Sequence, residues 1–440
     1  MHRCAEDLQG VHPAADQPRR NAAVVTALIC AALIAGLSGT AAADEPLRPA
    51  ITRRGWQLEL TGYLQADAVA WSEDSFDELD PAGEPLNKER VLIRRGRLRA
   101  EARRDGMFGS LELDGNTING STARILGAQV GWSFVPAGAT APLVTISAGL
   151  FKTPFGAEVP ANDRDKAFLE PPAFARALFP GNYDAGVLVQ GAYGLARWSA
   201  ALVNGAPVGD AQWRGKDPTG SYDLVGRLGL AVDGPRKFRV EAGVSALIGT
   251  GLHAGTPPTK DAFEWVDENQ NGMVDGTELQ VIPGSPGTPS ETFERQALGA
   301  DVQLHWCLCA VGNGTAFAEL ALATNLDRGL VYADPIAQDR DLRHLGFSLG
   351  FVQNLGDHAQ AGARYDRYAA DRDARERQGI PLVGVDRVYS TLSIMAAGRW
   401  HAARFVAQYD HERNPNGRGD DGMPLTQSAD RITLRAQVGF

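Results

Sequence analysis

Beyond residue 43 the sequence has no run apolar enough to cross a membrane as a helix, which excludes a helical membrane protein. Cysteine is scarce, four in 440 residues. Cys4 and Cys30 lie in an N-terminal leader, and Cys307 and Cys309 alone cannot frame a disulfide scaffold. With His305 that pair offers two or three ligands, too few for a metal site; a local disulfide or idle thiols is the plainer reading. Positive charge is in deficit, 43 basic residues against 53 acidic, and no nucleic-acid partner is expected. Catalytic motifs are missing too. Gly346-Phe-Ser-Leu-Gly350 has the spacing of a nucleophile elbow, but an elbow turns sharply into a helix. Here Leu345, Phe347, Leu349 and Phe351 continue one apolar stripe, so no enzyme is expected.

The leader is informative. Arg19-Arg20 precede an apolar run from Ala22 to Leu37, which ends in Thr40-Ala-Ala-Ala43 before Asp44-Glu45. That is the layout of a secretory signal over residues 1–43, cleaved after Ala43. Ile29 before Cys30 is too bulky for lipoprotein cleavage. Removing the signal leaves residues 44–440, 397 residues that still carry a net charge of −10.

Along that mature chain apolar and polar residues alternate with period two, the pattern of strands. Sixteen candidate strands can be marked, the first at 55–71 and the last at 430–440. Leu58, Leu60, Leu64, Ala66 and Ala68 alternate with Glu59, Thr61, Gln65 and Asp67; Phe238, Val240, Ala242 and Val244 alternate with Lys237, Arg239, Glu241 and Ser245. Connections run long, short, long, short. The long ones include 72–87, 152–184, 205–220, 249–293, 326–342, 370–385 and 413–429; the short ones include Asp105-Gly106, Gly234-Pro235 and Gly356-Asp357. This rhythm predicts an all-β protein: a transmembrane antiparallel β-barrel of about sixteen strands in a bacterial outer membrane, termini periplasmic and long loops extracellular. Closure is demanded by hydrocarbon, which offers an open sheet edge no hydrogen-bond partner. The last strand, ending on Phe440, fits the same reading.

Net charge is unevenly placed. Loop 72–87 holds six acids and no base, and the long acidic extracellular loop 249–293 holds seven acids and Lys260, so the remainder is slightly basic. In the second strand Arg95, Arg97, Arg99, Glu101 and Arg103 share one face. An arginine facing lipid at mid-depth costs about 2–4 kcal/mol, so this row is expected to line the lumen. There it would attract anions, or pair with Glu59, Glu112 and Asp114 and brace the wall. Segment 152–184, polar and without strand pattern, is too long for an idle connection. It is expected to fold inward and constrict the bore, with Lys152 at its foot; its own charges sum to −1.

Gly149-Leu-Phe-Lys-Thr-Pro-Phe-Gly156, Phe168-Leu-Glu170, Leu178-Phe-Pro-Gly-Asn-Tyr-Asp-Ala-Gly186 and Leu202-Val-Asn-Gly205, after Arg94-Arg-Gly-Arg97, resemble the phosphate-selective porin O and P family. The resemblance spans nearly all the mature chain. It implies a sixteen-stranded homotrimeric barrel with an inward third loop and basic residues guiding anions. Arg95, Arg97, Arg99, Arg103 and Lys152 take that role here. The expected partners are outer-membrane lipid and small inorganic anions or other small hydrophilic solutes. A general or weakly cation-selective porin, and a plugged barrel serving as adhesin or scaffold, are the competing readings.

The acidic loop carries a second pattern. Asp267, Asn269, Asn271, Asp275 and Glu278 place oxygen ligands at positions 1, 3, 5, 9 and 12, with Gly272 at 6 and the Met273 carbonyl at 7. This is the spacing of an EF-hand loop, and Ca2+ is the expected ion. Pro257-Pro258 and Pro283 argue against flanking helices.

Overall fold

The computed structural model describes residues 49–71, 89–118, 120–207, 219–308, 311–377, 382–384, 387–418 and 424–440. The expected signal segment 1–43, loop 72–87 and Cys309 fall outside them.

Sixteen strands form the wall. The first four are β1 (Trp56–Trp71), β2 (Arg90–Arg104), β3 (Met107–Asn116) and β4 (Thr122–Phe134). Next come β5 (Val144–Lys152), β6 (Tyr183–Tyr193), β7 (Ala196–Val203) and β8 (Asp223–Asp233). The third group is β9 (Arg239–His253), β10 (Glu291–Leu308), β11 (Gly312–Thr324) and β12 (Arg343–Leu355). The wall ends with β13 (Ala359–Asp371), β14 (Arg387–Trp400), β15 (Ala403–Arg418) and β16 (Pro424–Gly439). Each pairs antiparallel with the next, and β1 also pairs with β16 from Tyr63↔Gly439 to Trp71↔Arg431, so the sheet closes. A short strand, Ala50–Arg53, covers the end of β1 that β16 does not reach. Gly62 exchanges two 3.0 Å backbone hydrogen bonds with Phe440 at this seam. A Cβ there would lie 2.5 Å from the Phe440 ring, which is why glycine stands at that position.

Tight turns gather at one end. Asp105 and Gly106 both have positive φ, the backbone that a two-residue hairpin needs. Outside, Leu224, Leu228, Leu230, Val244, Ile248, Leu298 and Leu349 are exposed, and Trp132, Phe134, Tyr193, Phe238 and Trp400 ring the turn end. Apolar bands edged by aromatics belong to a barrel standing in lipid.

Several boundaries differ from those read by periodicity. Segment 413–429 is mostly strand, because β15 and β16 run on past the apolar band as a polar hairpin with an irregular register between Asn414 and Gly417. Lys237 lies in a single 3-10 turn (Pro235–Lys237) at φ +60°, not on an inner strand face. The Gly346–Gly350 match lies wholly within β12 and makes no turn into a helix.

The larger difference is inside. Alternation led to a polar, water-filled interior throughout. Instead Leu188, Ala201, Val203, Val225, Leu247, Ala297, Ala321 and Tyr368 point inward and are buried, so β6–β11 and β13 carry apolar residues on both faces. What they pack against is the constriction loop.

Candidate functional site: a constricted lumen

Residues 153–182 fold into the bore. They are not structureless, since Ala173–Leu178 form a short helix, α1, and they are not uniformly polar. Phe155, Val159, Phe174, Leu178 and Phe179 are buried against the apolar half of the wall. The Phe155 and Phe179 ring centroids lie 4.8 Å apart. Burying each such side chain contributes about 1.5–3 kcal/mol, enough together to hold a segment with little regular structure of its own. Wall glycines make the seats: a Cβ on Gly299 would lie 2.8 Å from the Phe155 ring, and one on Gly346 would lie 2.2 Å from Phe174 Cβ.

An irregular backbone buried in a bore must find hydrogen-bond partners. Here inner wall side chains supply them. Glu319 accepts from the Ala157 and Glu158 amides at 3.3 and 2.9 Å, Gln408 from Leu169 at 2.9 Å, and Asp366 from Ala173 at 2.9 Å. Arg364 donates to the Glu170 carbonyl at 2.7 Å, Arg404 to Lys166 at 2.8 Å, and Gln437 to Arg164 at 3.2 Å. A second loop joins in: the Arg328 and Gly329 amides each donate to Ala177 O at 3.0 Å. Lumenal polarity on β11, β13, β15 and β16 is thus largely an anchor set. That role is not encoded by any local pattern, because each partner is more than a hundred residues away in the chain.

The loop's other side faces β1–β4 and the arginine row. Arg95, Arg97 and Arg99 line cavities between the wall and the loop. The β1–β2 register slips between Gln65 and Ala66, which pair with Arg95 and Ile93, so Arg94 sits in a β-bulge. The bulge turns Arg94 inward as well, where its guanidinium meets Glu170 of the constriction loop at 2.6 Å. Period-two reading cannot see an inserted residue and left Arg94 on the outer face.

The basic residues differ in how committed they are. Arg97 is buried between Asp114 at 3.2 Å and Asp163 at 2.8 Å, with its guanidinium 5.7 Å from the Tyr63 ring centre. Lys152 donates to the Ala161 carbonyl, lies 3.5 Å from Asp163 and covers the Tyr183 ring. Arg103 bonds Glu101 near the turn end. Arg99 bonds Glu101 at 2.8 Å but keeps 41% of its side chain exposed. Arg95 donates to the neutral Gln65 amide oxygen at 3.1 Å. Burial opposes charge on Asp163 and Glu170, yet the cations outweigh it. Lys152, Lys166 and Arg97 hold Asp163 well below the usual carboxylate range, and Arg94, Arg95 and Arg435 hold Glu170 at about 2.

Two cavities lie against this row. One, of about 360 Å³, is lined by Tyr63, Arg97, Arg99, Glu112, Lys152 and Arg164. The other, of about 370 Å³, is lined by Arg94, Arg95, Arg97, Arg124, Arg176 and Arg328 with Asp114, Asp163 and Glu170. Arg97 borders both.

Far from the lumen, the EF-hand-like segment tips a small hairpin, Ala262–Trp265 paired with Leu279–Ile282. Gly272 has φ +70°, and Asp267 accepts from the Asn271 and Gly272 amides at 3.1 and 2.9 Å. Glu278 folds over the loop, bonding Trp265 Nε1 at 3.1 Å and the Asn269 amide at 3.4 Å. The indole bond keeps its carboxyl below the usual range. No flanking helices form, as the prolines require. Cys307 is a free thiol.

No protein-family model and no curated protein matches the chain. Solved structures match its fold. The outer membrane channel DcaP of Acinetobacter baumannii is 12% identical over 91% of this chain and 100% of its own, with a TM-score of 0.55. OprB of Pseudomonas putida is 9% identical over 87% and 94%, with a TM-score of 0.54. An anion-selective porin from Comamonas acidovorans is 10% identical over 88% and 100%, with a TM-score of 0.51. The likeness is one of fold: a sixteen-stranded porin-like barrel shared with several diverse porins, which does not single out the phosphate-selective ones.

Proposed function

We propose that the mature chain is an outer-membrane porin, a passive channel for small hydrophilic solutes biased toward anions, with phosphate or polyphosphate among them. Its signal is removed at Ala43, its termini are periplasmic, and it works as a homotrimer like the family its motifs resemble. The observation that carries the anion bias is the charge of the cavity between β2–β4 and the constriction loop, six arginines against three carboxylates. A low-dielectric wall focuses that excess onto whatever enters. Zero-current potential across a planar bilayer under a salt gradient tests it; a sign favouring cations would contradict it.

Two observations favour the competing readings. Arg97 and Lys152 are tied to carboxylates, which supports a general or weakly cation-selective pore. The apolar core fills one side of the bore, which supports a plugged adhesin or scaffold. A plugged barrel gives no conductance at all.

We further propose that Asp267, Asn269, Asn271, Met273, Asp275 and Glu278 hold a calcium ion outside the cell. The twelve-residue spacing supports this, as does Glu278, which folds back over the loop beside Asn269. Among the described residues no group of three or more His, Cys, Asp and Glu gathers into a metal cluster.

A further inference from the structure

The 370 Å³ cavity is more than a stretch of basic wall. Its three carboxylates are all engaged: Asp163 with Arg97 at 2.8 Å, Asp114 with Arg97 at 3.2 Å and Arg124 at 3.7 Å, and Glu170 with Arg94 at 2.6 Å. Arg95 and Arg176 have no carboxylate within ion-pair distance among the described residues. The Arg176 Nε–H is buried and lacks any hydrogen-bond partner. An orphaned buried donor is costly, more so on a charged group, so such a site is built for an acceptor that the wall does not provide. Arg176 is presented by α1, which the barrel holds rigidly through Phe174 on Gly346, through Ala177 O, and through the Ala173–Asp366 bond. The lining also includes the apolar side chains of Ile118, Leu126, Pro171, Phe179 and Pro180. The volume falls within the range of small-molecule pockets and is much larger than one tetrahedral oxyanion needs.

We infer that this cavity is a stationary binding subsite for a small organic carboxylate. The carboxylate sits on the planar forks of Arg95 and Arg176, and the carbon skeleton lies on the Ile118–Pro171–Pro180 wall. The inference rests on the anion-conducting reading and adds a substrate class to it. Guanidinium pairs with carboxylate through two parallel hydrogen bonds, which a chloride ion cannot use. Inorganic phosphate would satisfy the arginines but leave the apolar wall without a contact. Transport of such a solute should therefore saturate, whereas simple diffusion rises linearly with concentration.

The test is single-channel recording of the purified full-length mature protein in potassium chloride, with benzoate or inorganic phosphate added to one side. Benzoate is expected to block the chloride current saturably, and phosphate to need roughly tenfold more for the same block, the equivalent of one well-placed apolar contact. Arg176→Gln is expected to raise the half-blocking benzoate concentration at least about tenfold, with partial recovery in Arg176→Lys. Arg95→Gln is the second variant should the first not assemble. Block that stays linear, or is equal in wild type and both glutamine variants, overturns the subsite. Equal potency of phosphate and benzoate overturns the organic class. A cation-favouring reversal potential in plain chloride would instead remove the anion-channel reading beneath it.

Discussion

The Arg94 guanidinium lies 2.6 Å from the Glu170 carboxylate, so a bulge in the barrel wall and the constriction loop inside it are joined by one ion pair. The pair is what makes the bulge consequential. Without the bulge Arg94 would be directed at lipid; with it, the pair ties the loop to the β2 side of the bore.

Arg94→Ala should therefore loosen the loop without opening the barrel. Glu170 would keep only Arg435, 3.9 Å away, at a cost of about 2 kcal/mol. The expected readout is noisier single-channel current with an unchanged thermal midpoint for the wall. A quiet trace identical to wild type would contradict the tether.

The same tether sets a pH window. Glu170 titrates at about 2 when folded in, below its ordinary value near 4, so it stabilises the docked loop fully above that ordinary value. As pH falls from about 4 toward 2 the stabilisation is lost. Current steps should be steady from neutral pH down to about 5 and become irregular only below about 4. Irregularity that begins near neutrality would assign the loop's hold to some other group.

Phe155→Ala tests the apolar half. The ring is fully buried on Gly299, and removing it should cost about 3–5 kcal/mol. Heating in detergent should show the loop released early, as new protease cleavage within 153–182, while the sixteen-stranded wall persists. Unaltered protection would mean that the loop hangs on its hydrogen bonds alone.

Much of this was legible in the sequence. Alternation, the long and short connections and the closing aromatic strand each have a direct physical cause, lipid outside and water or turns elsewhere, and they marked the barrel. The loop's inward course followed from its length. Its apolar side did not, because Phe155, Phe174 and Phe179 sit among prolines and charges at no regular period. Nor did the doubled strands: Leu224-Val225 and Leu247-Ile248 look merely hydrophobic until something is known to fill the bore. The Arg94 bulge was hidden for the opposite reason, since a one-residue insertion leaves the pattern on either side intact.

Calcium at 1–5 mM should protect the hairpin around Asp267–Glu278 from protease, on the scale of weak extracellular sites. Glu278→Gln should abolish that protection while leaving conductance alone. Equal cleavage with calcium and with chelator would leave the hairpin a plain acidic loop.

Arg99 separates steering from bracing. Its side chain is 41% exposed against 7% for Arg97, and its partner Glu101 stays bonded to Arg103 without it. Arg99→Gln should lower the anion-to-cation permeability ratio roughly twofold by weakening the local field. Arg97→Gln should instead destabilise the loop, since it removes the nearest cation from both Asp114 and Asp163. Reversed outcomes would exchange the two roles.

The account stands most directly on one measurement: the zero-current potential of the purified mature protein in a planar bilayer under a tenfold potassium chloride gradient. A conducting channel whose potential has the sign set by chloride is the expected result. A potential set by potassium, or a bilayer that never conducts, would contradict it.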